Sequence, residues 1–280
     1  MTEWFLFLPQ VQLSIDEIVE RARVAERAGF DGIAFIDHLE APGAPDRGIW
    51  DATAIAAWVA ARTQRLRVGH LVLCDGFRHP AVLAKHAVTM SAASGGRFEL
   101  GLGAGSMPAE FERFGVDNAD DPPARFRRLE RDLTLIRQYW GDDGDNAQFP
   151  RREHPIPLVL GGVGNRTMEL VRRHADWWNL PCNQLGRLEQ LRPHAGNARV
   201  SVQQMVGFIG SGADRATVTE TSTRRFGYLG DGLTCGTSDE LIDHFGRMSE
   251  LGVERFYVWF ADFARPDTLR EFAETVVTAT

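Results

Sequence analysis

Short apolar runs alternate with amphipathic stretches along the whole chain. Most of the apolar runs are continuous and do not alternate with polar residues, as expected for parallel β-strands that are buried on both faces. The predicted strands cover residues 4–8, 32–36, 66–73, 98–103, 156–160, 177–180, 200–208 and 255–260. The pattern therefore indicates a protein built around a buried parallel sheet.

Helical patterns separate the predicted strands. In the first of them, Ser14 and Glu17 have the spacing of a capping box and Gly29 provides a stop signal. The predicted helices cover residues 14–28, 51–62, 80–93, 124–140, 166–174, 238–251 and 266–277, with a weaker pattern over 184–192. A further helical segment, residues 214–225, is predicted to belong to a loop insertion before the helix that begins at residue 238.

The succession of strands and helices predicts an α/β protein. Eight strands, each followed by a helix, are typical of a (β/α)8 TIM barrel, which we expect to cover residues 1–280 as a single domain. A doubly wound open sheet is the alternative that the same pattern allows. Residues 141–155 are polar and rich in turn formers, and they are interpreted as a long surface connection within that domain.

Composition and charge narrow the expected partners. The chain has 31 basic and 38 acidic residues and a formal net charge of −7, which does not suit nucleic acid, because that binding depends on neutralising phosphates. No apolar run approaches the roughly 20 residues of a membrane span. Cys74, Cys182 and Cys235 lie far apart and form no CxxC motif. We therefore expect a protein of the reducing cytoplasm that binds neither nucleic acid nor membranes.

Polar side chains follow the second predicted strand. The carboxyl ends of barrel strands converge on one face, where active sites are built. Asp37 and His38 end the second strand and form a candidate acid–base pair, since histidine titrates near neutral pH. Neighbouring strand residues point to opposite faces, so only one of the two is expected to enter the site. A structural histidine bonded to the backbone is the other interpretation.

A glycine-rich turn follows the fifth predicted strand. Residues 161–164 read Gly-Gly-Val-Gly and precede the helix that carries Arg166. Free N–H groups at a helix start favour an anion, and the missing side chains would let a phosphate approach the backbone. A tight strand-to-helix turn that needs only positive φ explains the glycines equally well. The chain contains no GxxxxGK[ST], HExxH or GxSxG motif, so it has no sequence support for a P-loop, a zincin-type metal site or a serine hydrolase.

Several motifs in the same order resemble the bacterial luciferase-like superfamily. They are AERAGFDG at 25–32, IDH at 36–38, RHP at 78–80, SGGRFELGLGAG at 94–105 and LGGVGNR at 160–166. The resemblance covers nearly the whole chain and is weakest over residues 182–235, which are expected to contain variable loop insertions. It implies a (β/α)8 barrel that holds a flavin or the deazaflavin coenzyme F420 at its C-terminal face.

The resemblance also implies which residues form the site. Asp37 and His38 are most similar to the deazaflavin-dependent branch, with His38 as the acid–base group and Asp37 orienting it or bonding the cofactor ring. A non-proline cis peptide bond is expected between Leu71 and Val72. The implied cofactor-binding residues are Leu71, Val72, Leu73, Gly103, Ala104, Gly105, Ser106, Gly161, Gly162, Val163, Gly164 and Arg166. Phe77, Trp178 and Asn179 are expected to line the substrate pocket.

Two positions depart from the family pattern. Related deazaflavin sugar-phosphate dehydrogenases have a glutamate where this chain has Ser106, and Ser91 replaces a usual aspartate. Glu110 lies one helical turn beyond Ser106 and is interpreted as compatible with a structural role.

The main functional hypothesis is an F420-dependent oxidoreductase that transfers a hydride between F420 and a small organic substrate. It implies a separate reductase that recycles the cofactor, and homodimerisation is common in the superfamily. The first alternative is a monooxygenase that uses reduced FMN. The second is a flavin- or deazaflavin-binding protein without catalysis, which the serines at positions 91 and 106 suggest.

Overall fold

Parallel β-strands form the centre of the protein. The computed structural model describes residues 2–117, 121–142 and 146–280. Its strands are β1 (Glu3–Phe7), β2 (Gly32–Phe35), β3 (Arg67–His70), β4 (Leu73–Cys74), β5 (Leu100–Gly103), β6 (Leu158–Gly161), β7 (Trp177–Pro181), β8 (Arg199–Phe208), β9 (Leu233–Gly236) and β10 (Arg255–Phe260). The pairings between these strands are parallel, as the continuous apolar runs predict.

The helices lie between the strands. They are α1 (Ile15–Ala28), α2 (Ala52–Ala60), α3 (Pro80–Ala93), α4 (Pro108–Arg113), α5 (Pro122–Trp140), α6 (Asn165–His174), α7 (Leu188–Leu191), α8 (Arg215–Phe226), α9 (Ser238–Glu250) and α10 (Pro266–Thr275). The predicted capping box is present at α1, where Ser14 and Glu17 bond each other's backbone and Gly29 ends the helix with a φ of 100°.

The sheet closes into a barrel. The strand order is β3-β2-β1-β10-β8-β7-β6-β5-β4, and β3 and β4 are consecutive parts of the third barrel strand. Because Val68 of β3 also bridges Phe98, just before β5, the two ends of the sheet meet. This confirms the predicted (β/α)8 TIM barrel and excludes the open doubly wound sheet.

The structure differs from the predicted elements in four places. The predicted strand 66–73 is interrupted between β3 and β4, where the chain contains a cis peptide bond. Strand β9 and the six-residue helix α4 were not predicted, because both are too short for their periodicity to stand out. The weak helical pattern over 184–192 corresponds to a 3-10 segment, Cys182–Arg187, followed by the single turn α7.

The predicted insertion after the seventh barrel strand adopts defined structure. Helix α8 and strand β9 lie between β8 and α9, and β9 pairs with the last four residues of β8. Because β9 pairs with the carboxyl end of β8, the insertion lies at the C-terminal face of the barrel. That is the face on which barrel enzymes build their sites.

A buried ion cluster closes the opposite end of the barrel. Arg255 is fully buried, and its guanidinium donates to Glu3 and Glu99 at 2.6–3.0 Å. The same guanidinium lies 3.7 Å from the ring centre of Trp177 and 4.1 Å from that of Phe5. Above this layer, Phe5, Phe7, Ala34 and Tyr257 fill the barrel interior. The carboxyl ends of the strands are therefore where the barrel has room for a ligand.

The close approach of β5 to the third barrel strand leads to a stability prediction. A Cβ atom on Gly101 would lie 1.8 Å from the carbonyl oxygen of His70, which is backbone and cannot rotate away. We expect Gly101→Ala to lower the free energy of unfolding by about 3 kcal/mol, as measured by urea denaturation. The matched control is Gly246→Ala in α9, where the added Cβ meets nothing within 4 Å. It should raise stability by about 0.5–1 kcal/mol. Equal stabilities of the two variants would contradict this interpretation.

Candidate active site

A cavity of about 350 Å³ opens at the C-terminal ends of β2, β4, β5 and β6. Its volume lies within the range of small-molecule and cofactor pockets. Eleven of the site residues that the sequence predicts line it: Asp37, His38, Leu71, Val72, Leu73, Gly103, Ala104, Gly105, Ser106, Gly161 and Gly162. The barrel topology therefore brings together segments that are far apart in the sequence.

His38 is held by a buried carboxylate. Its Nδ1 atom lies 3.0 Å from Oε2 of Glu110, whose residue is only 1% exposed. The other carboxylate oxygen, Oε1, accepts hydrogen bonds from the backbone N–H groups of Leu39 and Glu40 at 2.6 and 3.3 Å. An ionised carboxylate only accepts hydrogen bonds, so Nδ1 of His38 carries the proton. The lone pair of a neutral His38 is then on Nε2, which is the ring nitrogen that Glu110 leaves free to bond a ligand in the cavity.

The role of Glu110 emerges from the tertiary structure. Helix α4 begins with Pro108 in its first turn and buries Glu110 and Phe111, both of which line the cavity. The sequence interpretation treated Glu110 as structural, without a partner. Pro108 is a common first residue of a helix and was the available signal for α4. It could not have identified His38 as the partner, because the two residues are 72 positions apart.

Asp37 has a different partner from the one that the sequence suggested. Its carboxylate forms a bidentate pair with Arg78, in which Nη2 donates to Oδ1 at 2.9 Å, and Oδ2 also accepts from the backbone N–H of Cys74 at 2.8 Å. These bonds join the segment after β2 to β4 and to the segment that follows β4. The expectation that Asp37 orients His38 is therefore corrected: Glu110 does so.

The third barrel strand forms the apolar floor of the cavity. The peptide bond between Leu71 and Val72 is cis, as the family resemblance implied. Across from it, a Cβ atom on Gly103 would lie 2.6 Å from Cγ2 of Val72, so the glycine lets the valine pack directly against β5. Leu71 also packs against the aromatic cluster of the barrel interior. This segment gives the cavity a rigid hydrophobic surface.

The glycine-rich turn precedes a helix without a side-chain cap. Gly164 is the N-cap of α6 and provides no capping side chain, whereas Ser14, Asp51 and Asp214 cap α1, α2 and α8 with their side chains. Gly162 has a φ of 121°, which glycine adopts without strain. Gly161, Gly162 and Thr167 line the cavity next to this helix start. The first N–H groups of α6 are thus available to an anion in the cavity.

The remaining predicted site residues lie outside the cavity lining. Trp178 is fully buried beneath the glycine turn, where its indole N–H donates to the carbonyl of Gly162 at 2.9 Å. Asn179 is buried and accepts a hydrogen bond from Ser201 at 3.3 Å. The ring of Phe77 lies 5.6 Å from that of Phe111, which itself lines the cavity. These three residues support the cavity wall and do not form its surface.

Three further predicted residues at the glycine turn and the start of α6, Val163, Gly164 and Arg166, also lie outside the cavity lining. Val163 packs against the main hydrophobic core. Arg166 is exposed at the surface, where its Nη1 atom lies 3.5 Å from the carbonyl of Pro123. A phosphate in the cavity would therefore meet backbone N–H groups before it met this guanidinium.

A buried acid lies directly beneath the cavity wall. Asp75 follows the cavity residue Cys74 and is 1% exposed. Burial and the nearby Asp132 carboxylate raise the pKa of Asp75 to about 7, although Arg128 opposes the shift with a hydrogen bond of 3.2 Å. Oδ1 of Asp75 has no hydrogen-bond partner among the described residues. The native state therefore favours the protonated acid up to neutral pH.

The raised pKa of Asp75 predicts a pH-dependent stability. The acid binds its proton more tightly in the folded than in the unfolded state, so its contribution is complete below pH 4 and is lost as the pH rises through 7. Asp75→Asn removes this loss. The difference in the free energy of unfolding between the variant and the wild type should therefore grow with pH. We expect this difference to favour the variant by on the order of 2 kcal/mol more at pH 8 than at pH 5.

The control for this prediction is a carboxylate in water. Asp46 has a side chain that is 78% exposed, and Asp46→Asn should change stability by the same small amount at both pH values. Urea denaturation at pH 5 and pH 8 measures all three proteins. Parallel pH profiles for the wild type and Asp75→Asn would refute the prediction.

Two absences apply to the described parts of the chain, residues 2–117, 121–142 and 146–280. No group of three or more histidine, cysteine, aspartate or glutamate side chains there is placed to hold a metal ion. No helix there is both long enough and apolar enough to cross a membrane.

Comparisons with known proteins identify similar sequences. The family model described as luciferase-like monooxygenase matches residues 3–202. Curated relatives include F420-dependent glucose-6-phosphate dehydrogenases of Mycolicibacterium fortuitum (36% identical, covering 59% of this chain and 53% of that protein) and Amycolatopsis mediterranei (33% identical, covering 57% and 51%). The chain spans about half the length of the curated relatives that it matches.

Solved structures with the same fold include an F420-dependent enzyme and a monooxygenase. An F420-dependent secondary alcohol dehydrogenase in complex with an F420-acetone adduct has a TM-score of 0.81 at 17% identity and covers 100% of this chain and 99% of its own. A monooxygenase from Streptomyces bottropensis has a TM-score of 0.76 at 20% identity and covers 99% of both chains. At these identities the comparison supports the barrel fold alone, and the chemistry has to be inferred from the site.

Proposed function

The chain belongs to the luciferase-like monooxygenase family, and we propose that it is an F420-dependent oxidoreductase that transfers a hydride between F420 and a small organic substrate. The observation that carries the proposal is the His38–Glu110 pair at the wall of the cavity, because it places an acid–base group in the same cavity as the apolar Leu71–Val72 surface. The names of the curated relatives support the choice of F420 over other cofactors.

The cavity residues fit such a cofactor. The uncapped start of α6 next to Gly161 and Gly162 suits a cofactor phosphate, because N–H groups and the helix dipole both favour an anion there. The apolar surface of Leu71 and Val72 suits the face of an aromatic ring system. F420, when bound, supplies the carbon centre that accepts or donates the hydride, while the protein provides orientation and proton transfer.

The protein's own contribution centres on one proton. With Nδ1 held by Glu110, Nε2 of His38 takes the proton from a substrate hydroxyl during oxidation and returns it during reduction. Glu110 also stabilises the imidazolium that forms, since its carboxylate is buried and close. Ser106, at the position where related dehydrogenases have a glutamate, also lines the cavity and adds a hydroxyl but no acid. His38 is therefore the proposed acid–base residue for both directions.

The proposal extends to location and partners. All three cysteines are free thiols, which suits the reducing cytoplasm in which we place the protein. A separate enzyme would recycle the cofactor, and two copies of the chain would form a homodimer. We treat residues 1–280 as one domain, in which the segment 182–235, including α8, shapes the substrate side of the mouth.

A monooxygenase that uses reduced FMN is the second candidate, favoured by the description of the family and by the fold shared with solved monooxygenases. Titrating the purified protein with F420 and with FMN, followed by the fluorescence of each cofactor, separates the two. We expect F420 to bind at least about tenfold more tightly than FMN, a difference of about 1.4 kcal/mol.

The outcome that overturns the proposal is tight FMN binding, no affinity for F420 and oxygen consumption with reduced FMN. Binding of F420 without hydride transfer would instead favour the non-catalytic alternative. Glucose 6-phosphate and secondary alcohols, named for the relatives and the structural neighbour, are the first substrates to assay.

A further inference from the structure

A guanidinium that forms no ion pair with a carboxylate of the described residues lies at the C-terminal end of the eighth barrel strand. Arg225, in the last turn of α8, donates through Nη1 to the backbone carbonyls of Phe260 and Ala261 at 3.3 and 2.8 Å. Asp262 is the carboxylate whose charge stabilises the guanidinium of Arg225 from nearby. Its two oxygens accept hydrogen bonds from the N–H of Ala264 and the hydroxyl of Thr268. The positive charge is therefore not neutralised by a direct ion pair within the described residues.

Aromatic rings pack around this cation and shield it in part from water. The guanidinium carbon lies 3.6 Å from the ring centre of Phe263, 5.0 Å from that of Phe226 and 5.7 Å from that of Trp259. Desolvation outweighs Asp262 and lowers the pKa of Arg225 to about 10. Cation–π contacts recover part of the cost of this burial, but they do not replace an anion.

A second hydrogen-bond donor lies beside the guanidinium without an acceptor. The indole N–H of Trp259 is buried and has no partner among the described residues. Trp259 packs against the interior cluster of Phe5, Phe7, Ala34 and Tyr257, and so do Ile36 and Leu71. Ile36 and Leu71 also line the candidate active-site cavity, so Trp259 and the cavity are connected through this interior cluster.

The loop after β10 holds one of these rings in a costly backbone conformation. Phe263 and Ala264 have φ values of 62° and 56°, in the left-handed region that residues other than glycine rarely adopt. The carbonyl of Phe263 accepts a hydrogen bond from Arg21 at 2.8 Å, which fixes the loop to α1. Strain of this kind persists where surrounding contacts enforce it and is frequent at ligand sites. Here it keeps the ring of Phe263 on the guanidinium.

We propose that Arg225 and Trp259 form a subsite for an oxyanion of the substrate, so that this enzyme acts on organic carboxylates or phosphates. The inference rests on the proposed function, whose substrate it describes. A planar guanidinium binds two oxygens of such a group, and the indole N–H supplies a single directed bond. The subsite lies on the insertion after β8 and the end of β10, which is separated from β2 and its His38 by β1 alone.

Simple oxyanions test the subsite without a substrate. The unfolding temperature of the cofactor-free protein is measured with increasing phosphate or acetate, against chloride at the same ionic strength. We expect phosphate or acetate to protect the protein beyond chloride, and the more protective of the two identifies the anion class. Equal effects of all three salts on the wild type would overturn the proposal.

Two variants and a matched control locate the effect. Arg225→Gln should lower the affinity for the protecting anion by about tenfold or more, because it removes a charged hydrogen-bond donor. Arg224→Gln makes the same charge change one residue earlier on the exposed side of α8, and its affinity should stay within about twofold of the wild type. Trp259→Phe keeps the ring but removes the unpaired donor, so it should weaken the anion without lowering the stability of the free protein.

The variants also cover failure to fold. If Arg225→Gln does not fold, Trp259→Phe carries the test, and wild-type affinity in that variant overturns the subsite. Titration with F420 in parallel separates the two proposals. Anion protection that depends on Arg225, in a protein that does not bind F420, refutes the proposed function alone. Binding of F420 without oxyanion protection refutes the subsite alone.

Discussion

Replacing His38 by alanine is expected to lower the rate of hydride transfer by a factor of about 10²–10⁴, the usual contribution of a general acid–base residue. The side chain lines the cavity, its Nδ1 atom is held by Glu110, and Nε2 remains as the site for proton exchange. Because the cofactor is proposed to be held by α6 and by the Leu71–Val72 segment, its affinity should change by no more than a few-fold. Steady-state turnover and a fluorescence titration with F420 measure the two effects.

The control for this prediction is a histidine away from the barrel mouth. His194 is exposed after α7, and His194→Ala should keep both turnover and cofactor affinity. A His38→Ala protein that binds F420 and turns over at the wild-type rate would remove His38 from the mechanism. The hydride transfer would then need no acid–base residue from this position.

Exchanging Glu110 for glutamine is expected to lower turnover by a factor on the order of 100 or more, through the tautomer of His38. In the wild type, Oε1 accepts the N–H groups of Leu39 and Glu40. A glutamine must place its carbonyl oxygen there, so its NH2 group faces Nδ1 of His38. Nδ1 then becomes the acceptor and the proton moves to Nε2, where a base for the substrate is required.

Two measurements separate this positioning role from a structural one. The ¹⁵N chemical shifts of the His38 ring report which nitrogen carries the proton. They should show the proton on Nδ1 in the wild type and on Nε2 in Glu110→Gln. A double-mutant cycle with His38→Ala should show that Glu110→Gln adds less than about twofold once the imidazole is gone. Additive effects, or unchanged ring shifts with lost activity, would mean that Glu110 acts only through stability.

Much of the candidate site could be predicted because local sequence determines it. Gly103 allows a close approach to Val72, Gly162 adopts the positive φ that its turn requires, and both line the cavity as expected. The cis bond between Leu71 and Val72 was implied by the resemblance to the luciferase-like superfamily and is present. In contrast, Trp178 and Asn179 were expected in the pocket, but their side chains are buried under the glycine turn and against β8. Strand position alone did not distinguish a cavity surface from its support.

Arg225 illustrates the same limit in the insertion. Residues 214–225 were predicted as a helix, and α8 covers 215–226. Nothing in that local pattern shows that its last arginine meets the end of β10, because Arg225 and Ala261 are 36 residues apart. The position of the cation depends on the strained loop at Phe263 and on the packing of Phe226 against Trp259.

The sequence by itself determined the succession of strands and helices and the face of the barrel on which the site is built, since periodicity, capping residues and glycines act over a few neighbouring positions. Only the tertiary structure decided which acid serves His38. Asp37 is its neighbour in the chain but is paired with Arg78, 41 residues away, while Glu110 reaches His38 from 72 residues away. The physical reason is that each buried carboxylate must be paired where the fold brings a donor to it, and chain proximity does not specify that donor.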